Sequence, residues 1–256
     1  MFIETHCHLD YLKAEPLEEI RKKISEAGIS KVITIGVDPV NLDLVKNLSD
    51  NYEEVYFTQG IHPHDAKDAT EVEFEKISTR ASLKKMVAVG EIGLDYHYNN
   101  SPPEIQRKQF ERQLQIAVEQ DLPVVIHTRD AEEDTKSIIK NFSSHLKRKG
   151  VIHSFTSSLN LAEFVLNENF YIGFNGIITF KKAENVQEVV KITPVDRILF
   201  ETDSPFLTPV PHRGKENAPY YLPIIAAKVA ELKNEDLDSL KKEVLSNSLR
   251  CFYKLA

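Results

Sequence analysis

Short apolar runs rich in β-branched residues alternate along the chain with longer stretches in which apolar residues recur every three or four positions. The short runs have the length of buried strands, and the longer stretches have the period of amphipathic helices. We therefore predict eight strands, each followed by a helix, and one further helix over Leu237–Tyr253. The predicted pairs are Phe2–Thr5 with Leu17–Ala27, Lys31–Ile35 with Val40–Leu48, Val55–Thr58 with Val72–Ser82, Met86–Val89 with Glu104–Gln120, Pro123–Ile126 with Ala131–His145, Val151–Ile152 with Leu159–Leu166, Phe170–Gly173 with Glu184–Lys191, and Ile198–Phe200 with Tyr220–Leu232.

This alternation predicts an α/β fold in which helices cover a parallel sheet. Eight repeats within 256 residues favour a closed (β/α)8 TIM barrel with an additional C-terminal helix, in one domain over residues 1–256. The glycine-rich fingerprints of dinucleotide-binding and P-loop folds are both absent from the chain. A nucleotide-binding doubly wound sheet is therefore not favoured.

Composition and targeting signals narrow the class of protein. The chain is 41% hydrophobic and 28% charged, which is ordinary for a globular domain. No apolar run reaches the about 18 residues that a membrane span needs, and the N-terminus lacks the basic and apolar regions of a signal peptide. The two cysteines do not suggest a disulfide framework. We expect a cytoplasmic protein without a membrane partner, and a monomer rather than an obligate oligomer.

Six polar residues lie where predicted strands end. Active sites of (β/α)8 barrels are built at the C-terminal ends of the strands, so these residues are expected to meet there. Each of them is a common ligand of divalent metal ions. They are His6 and His8 after the first strand, Glu91 after the fourth, His127 after the fifth, His153 after the sixth and Asp203 after the eighth.

The spacing of the first two ligands is informative. His6 and His8 are two residues apart, so on an extended strand both imidazoles point to the same face. Cys7 between them then points to the helical layer and is interpreted as a small buried residue rather than as a ligand. His-x-His alone is a weak signal of metal binding, and it gains weight from the four further candidates.

The carboxylates have different expected roles. Glu91 at the end of a buried strand needs a positive partner, and its two oxygens can bridge two cations. Asp203 can both ligate a metal and accept a proton from water. Glu201 shares the strand parity of Asp203 and competes for this role. We favour Asp203 because it lies nearer the rim, and we predict Asp203 and Glu91 as the catalytic residues.

Six ligands of mixed type exceed the needs of one tetrahedral ion and suit two divalent metal ions. We predict that His6, His8 and Asp203 hold the first ion, that His127 and His153 hold the second, and that Glu91 bridges them. The ligand types are compatible with zinc, magnesium, manganese, cobalt or nickel and do not choose among them.

Further polar residues on the same predicted face are candidates for substrate contact. His62 and His64 follow the third strand and could bind phosphate or, less favoured, a metal. Arg129, Arg213 and Lys215 lie on predicted loops, and arginine can grip a phosphate with two hydrogen bonds. Asp95 could orient a ligand histidine or cap the following turn.

Several segments, in their order along the chain, resemble the TatD family of deoxyribonucleases, which belongs to the amidohydrolase-like metal-dependent hydrolases. The resemblance covers the whole length, and it implies a (β/α)8 barrel, a metal-dependent nuclease activity and the six ligands named above, with Glu91 bridging. One departure is that the family often has a glycine where this chain has Thr156-Ser157-Ser158, which predicts an altered loop. The segments are His6-Cys7-His8-Leu9-Asp10, Gly60-Ile61-His62-Pro63-His64, Gly90-Glu91-Ile92-Gly93-Leu94-Asp95-Tyr96, His127-Thr128-Arg129, His153-Ser154-Phe155, Thr202-Asp203-Ser204-Pro205, and Arg213-Gly214-Lys215 with Asn217 and Pro219.

The expected activity is that of a DNase that hydrolyses phosphodiester bonds in the manner of a 3′–5′ exonuclease. The net charge of −7 argues against a broad basic surface for duplex DNA, so single strands or DNA ends are the expected partner. Relatives described as D-aminoacyl-tRNA deacylases suggest an alternative, in which the same two-metal site hydrolyses an ester. A barrel without catalytic activity is the third reading, and it would tolerate the change Asp203→Asn.

Overall fold

The computed structural model describes residues 1–256 and contains eight strands and nine α-helices. The strands are Phe2–Cys7 (β1), Ile29–Ile35 (β2), Val55–Gln59 (β3), Met86–Asp95 (β4), Val124–Arg129 (β5), Gly150–Ile152 (β6), Tyr171–Phe174 (β7) and Ile198–Phe200 (β8). The helices are Leu17–Glu26 (α1), Asn41–Asn51 (α2), Glu71–Arg80 (α3), Pro103–Glu119 (α4), Glu132–Ser143 (α5), Leu159–Asn167 (α6), Glu184–Ile192 (α7), Leu222–Lys233 (α8) and Leu237–Cys251 (α9).

The strands form one parallel sheet in the order in which they occur along the chain. A helix follows each strand, and α9 is added at the C-terminal end, so the predicted (β/α)8 barrel with an extra helix is confirmed. The edges of β8 and β1 meet through hydrogen bonds at their C-terminal ends. These are Thr5 Oγ1 to the Phe200 carbonyl at 2.8 Å, the Asp203 amide to the His6 carbonyl at 2.9 Å, and the His8 amide to the Ser204 carbonyl at 2.8 Å.

Helix α4 shows how local sequence sets an element. Pro102 is its N-cap and Pro103 its first residue, where a fixed φ suits the helix and a missing N–H costs nothing. Phe110 and Leu114 are fully buried and Val118 packs partly against the same core, which is the stripe that the period of the sequence predicts. None of the helices combines the length and the apolar content of a membrane-spanning segment.

Strand β4 is longer than predicted and is irregular where it carries Glu91. Val89 and Ile92 are three residues apart, but they pair with Val124 and Ile126, which are two residues apart on β5. β4 therefore holds one extra residue at this point, as in a β-bulge. A bulge redirects side chains, and this one includes Glu91, whose side chain reaches into the barrel mouth.

The lower part of the barrel interior is filled by apolar side chains. Val125 lies two residues before His127, and Val151 and Leu199 lie two residues before His153 and Glu201, so they share their strand faces. These three residues belong to one apolar cluster with Phe252 and Leu255, both of which are fully buried. The end of the chain therefore closes the N-terminal end of the barrel.

Candidate metal centre

All six predicted ligands meet at the C-terminal mouth of the barrel. Five of them line one cavity of about 620 Å³, and His6 lies directly beside it. The five are His8, Glu91, His127, His153 and Asp203. The elements that place them are those expected from the sequence. His6 lies in β1 and His8 just after it, Glu91 lies in β4, His127 lies in β5, His153 follows β6, and Asp203 follows β8.

His6, His8 and Asp203 form a compact first group. Oδ1 of Asp203 lies 3.7 Å from Nε2 of His6 and 3.5 Å from Nε2 of His8. In a tetrahedral site with bonds of about 2.1 Å the ligand atoms are roughly 3.4 Å apart. The measured separations therefore match the spacing of atoms that share one cation.

Glu91 lies between this group and a second one. Its Oε2 is 3.5 Å from Nε2 of His6, whereas its Oε1 is 3.1 Å from Nδ1 of His127 and 2.8 Å from Nε2 of His153. The two oxygens of one carboxylate thus face the two groups of histidines. This is the arrangement that a bridging ligand requires, and it agrees with the predicted division of the ligands.

Several of these nitrogens have no hydrogen-bond partner although they are buried. Both ring nitrogens of His6 and of His153, and Nδ1 of His8, are in this position. His153 Nε2 is close to Glu91, but the contact lacks hydrogen-bond geometry. A buried polar atom left unpaired costs about 1–3 kcal/mol. Coordination to a divalent cation would satisfy the Nε2 atoms of His6 and His153, so the donor set fits a metal.

Both carboxylates are charged at neutral pH, as metal ligands must be. Burial raises the pKa of Glu91, but the nearby His153, His62 and His127 outweigh it and hold this pKa well below its usual range. Burial also raises the pKa of Asp203, and the hydrogen bond with His8 and the charge of His153 lower it further than burial raises it. The site is therefore prepared to bind cations.

His62 lies against the second group, but the tautomer that its contacts favour makes it a donor. Its Nδ1 accepts the backbone N–H of His64 at 3.2 Å, so the proton of the neutral ring is on Nε2, 3.4 Å from Oε1 of Glu91. Burial, which outweighs the charge of Glu91, lowers the pKa of His62 to about 4, so the ring is neutral at pH 7. In this tautomer Nε2 acts as a hydrogen-bond donor rather than as a metal ligand, although the ring lies with Glu91 and His127 in a group whose atoms are close enough to hold a cation.

Asp95 performs both of the roles considered for it. Its Oδ2 is 3.1 Å from Nε2 of His127 and 3.0 Å from Nε2 of His64. Its Oδ1 accepts the backbone N–H groups of His97 and Tyr98, which caps the turn after β4. Because Nε2 of His127 faces Asp95, Nδ1 is the nitrogen left to face the metal site.

Glu201 has a position that the sequence did not reveal. It does not line the cavity but lies buried beneath it, where Oε1 accepts the Ser154 N–H at 2.5 Å and is 3.6 Å from Nδ1 of His153. A Cβ at Gly173 would come within 2.3 Å of Oε2, so the absence of a side chain there makes room for the carboxylate. Of the two carboxylates that competed for this role, that of Asp203 lines the cavity and that of Glu201 does not.

The predicted substrate contacts divide into two sets. His62, His64 and Arg129 line the cavity. Arg213 and Lys215 do not line it: the guanidinium of Arg213 lies 4.0 Å from the centre of the Phe180 ring, and the Lys215 carbonyl accepts the hydroxyl of Thr208. These two residues support the loop after β8, and their contact with a substrate stays a prediction.

Three side chains at the cavity were not singled out from the sequence. Tyr11 stacks on His8 with ring centres 5.2 Å apart, and Tyr98 makes an edge contact with His64 at 5.4 Å. Asp65 also lines the cavity. Tyr98 is 57% exposed, so its ring is open to a ligand. The only signal in the sequence was its nearness to Asp95 in the loop after β4.

Comparisons with known proteins agree with this geometry. The family model of TatD-related DNases matches residues 3–253. An uncharacterized metal-dependent hydrolase of Bacillus subtilis, YabD, is 38% identical over 98% of this chain and 99% of its own, and YcfH of Escherichia coli K12 is 34% identical over 98% and 95%. The crystal structure of YjjV, a TatD homolog from Escherichia coli K12, is 31% identical and superimposes with a TM-score of 0.92 over 98% of both chains.

Proposed function

Because this chain belongs to the TatD-related DNase family and is a metal-dependent hydrolase, we propose that it hydrolyses phosphodiester bonds of DNA, trimming single strands or ends from the 3′ side. The observation that carries this proposal is the pair of ligand groups joined by Glu91 at the floor of an open cavity. Two divalent cations held there, with His6, His8 and Asp203 on one and His127 and His153 on the other, would supply the Lewis acidity for this reaction.

The chain's own residues account for the remaining needs of the reaction. Asp203 is a charged carboxylate at the cavity surface, and it is placed to accept the proton of the attacking water. Nε2–H of His62 can donate to the negative charge that grows on the phosphate oxygens. Asp95 keeps His127 in a fixed orientation.

Recognition of the substrate is expected at the rim. Arg129 lines the cavity, has no carboxylate partner within 4.0 Å, and lies 4.8 Å from the centre of the Tyr98 ring. An unpaired guanidinium is a suitable ligand for a phosphate. Tyr98 and Phe206 are 57% and 52% exposed, and they can stack on unpaired bases, which favours single strands over duplexes.

The test is to incubate metal-reconstituted protein with single-stranded DNA labelled at the 3′ or the 5′ end, beside a D-aminoacyl-tRNA. We expect metal-dependent shortening from the 3′ end that chelator abolishes. Glu91→Ala should abolish it as well, whereas Glu75→Ala, at an exposed glutamate of α3, should retain it. Intact DNA together with metal-dependent release of the amino acid would overturn the nuclease proposal and assign the site to ester hydrolysis.

A further inference from the structure

A second depression lies beside the metal cavity at the barrel rim. This depression, which we name the α7 groove, has a volume of about 530 Å³ and is bounded by Arg129, Thr156, Ser157, Asn185 and Glu188. Arg129 and Thr156 also line the metal cavity, so the two spaces share a wall. Both volumes lie in the range of about 300–1,000 Å³ that is usual for ligand pockets.

The acidic side chains around the α7 groove are already paired. Asp130 contacts His97 at 2.9 Å, and Glu188 contacts Lys191 at 2.6 Å. The carboxylate of Glu132 accepts both the backbone N–H and the hydroxyl of Ser158, at 2.7 and 2.5 Å. Each of these carboxylates therefore already has a polar partner, which weakens its attraction for a cationic ligand.

The lining of the α7 groove contains one positively charged residue, which has no acidic partner. Arg129 is the only cationic residue that bounds the groove, and it stands where the groove meets the metal cavity. It makes no ion pair, and its guanidinium lies 4.8 Å from the centre of the Tyr98 ring. Deeper in the groove the lining offers the uncharged polar side chains of Thr156, Ser157 and Asn185. The surface therefore suits one anionic group at the junction and an uncharged polar group beyond it.

We propose that the α7 groove is a nucleoside subsite of this enzyme: the phosphate next to the scissile one lies against Arg129, and the nucleoside beyond that phosphate lies in the groove. This inference rests on the proposed function. A further phosphate deeper in the groove would meet Asp130, Glu132 and Glu188 without a free cation, so recognition ends at this nucleoside. The segment Thr156-Ser157-Ser158, where the family pattern often has glycine, forms part of this subsite.

The test compares single-stranded substrates that do and do not reach the groove. A trinucleotide has a second phosphate and a third nucleoside, whereas a dinucleotide has neither. We expect the wild-type kcat/KM to be about tenfold higher for the trinucleotide, which is the size of effect that a hydrogen bond between a charged side chain and its partner usually gives. Asn185→Trp, at an exposed first-turn residue of α7, should remove the advantage and leave hydrolysis of the dinucleotide unchanged.

Two controls keep the result specific. Asn167→Trp, at an exposed position at the C-terminal end of α6, should retain the preference for the trinucleotide. Ser157→Tyr fills the groove from the loop before α6 and replaces Asn185→Trp if that variant fails to fold. A trinucleotide with an uncharged methylphosphonate beside the scissile linkage should lose affinity in the wild type and show no loss in Arg129→Gln.

The outcomes separate the two proposals. If the wild type hydrolyses neither substrate, the nuclease proposal fails, and the subsite fails with it. If the wild type hydrolyses both equally, or if Asn185→Trp slows both equally, phosphodiester hydrolysis stands and the subsite is overturned.

Discussion

The two ends of the barrel interior differ in how their buried groups are satisfied. At the N-terminal end the interior is apolar: Phe252 and Leu255 are fully buried against Val125, Val151 and Leu199. Polar contacts hold this end in place, as when Nζ of Lys254 donates to the Ala81 carbonyl at 2.6 Å. This end has the properties of an ordinary protein core.

At the C-terminal end the same strands carry buried imidazoles whose nitrogens lack partners. The backbone there also adopts unfavourable conformations, with φ of 45° at Ser154 and 56° at Asp203, next to or within the ligand set. Each unpaired buried nitrogen costs about 1–3 kcal/mol, so these nitrogens destabilise the metal-free fold. The apolar packing at the N-terminal end therefore has to offset the free energy that burying these unpaired groups at the C-terminal end costs.

The largest expected effect of a change at the mouth is on activity. Asp203→Asn keeps the size of the side chain but removes its charge and its ability to accept a proton. We expect DNA hydrolysis to fall roughly a hundredfold to ten-thousandfold, because general bases contribute about this much. The metal-free variant should stay folded, although it loses the stabilisation that His8 and His153 give to the charge of Asp203. Single-turnover rates and thermal unfolding check this, and full activity in the variant would show that Asp203 is not catalytic.

A change at the apolar end should have the opposite pattern. Phe252→Ala removes a fully buried ring and should lower the free energy of unfolding by about 3–5 kcal/mol. The activity per folded molecule should stay near the wild-type value because no metal ligand is touched. Urea unfolding and active-site titration measure the two quantities. Val72→Ala, at a position that is 63% exposed, is the control that should lose little stability.

Glu201 lies between the two ends and should affect metal affinity. In Glu201→Gln the negative charge that lies 3.6 Å from Nδ1 of His153 is lost, so the ring is held less firmly. Loss of such a positioning contact typically weakens metal binding by about 10–100-fold. Competition with a chelator measures the affinity, and Glu75→Gln at an exposed site is the control. An unchanged affinity, or a loss of metal-free stability equal to the loss on binding, would assign Glu201 a purely structural role.

The smallest expected effect concerns pH. Burial lowers the pKa of His153, but Glu91 and Glu201 outweigh it and raise this pKa well above its usual value. The stability that His153 contributes to the metal-free protein is therefore complete below the ordinary histidine pKa and is lost as pH rises through the raised pKa. Glu91, whose pKa is lowered, contributes in the opposite sense, and its contribution is lost as pH falls toward that pKa.

We therefore expect the Tm of the metal-free protein to fall above neutral pH, by about 2–4 °C for each kcal/mol lost. The increase in Tm caused by added metal should grow over the same range, because cations displace protons from these ligands. Thermal unfolding at several pH values, with and without chelator, measures both. His153→Gln should reduce the alkaline fall without abolishing it, because the pKa values of His8 and His127 are also raised. A Tm that stays constant with pH in the wild type would contradict the assignment.

The sequence by itself determined the fold and identified the six polar residues that meet at the barrel mouth. Periodicity located all eight strand–helix pairs and α9, with boundaries that differ by a few residues except at the end of β4, which extends from the predicted Val89 to Asp95. The six residues at strand ends could be predicted because a parallel barrel brings all C-terminal strand ends to one mouth. Asp95 could be proposed for the same reason. Each of these inferences depends on spacing along one strand or helix, which a local pattern records.

Only the tertiary structure decided the rest. The bulge in β4, the place of Glu201 beneath His153 and the α7 groove depend on how separate elements pack against one another. Arg213 was predicted at the cavity because its loop follows β8, but the path of that loop places it on Phe180. Loop conformation depends on contacts between residues that are distant in sequence, and no periodic pattern records those contacts.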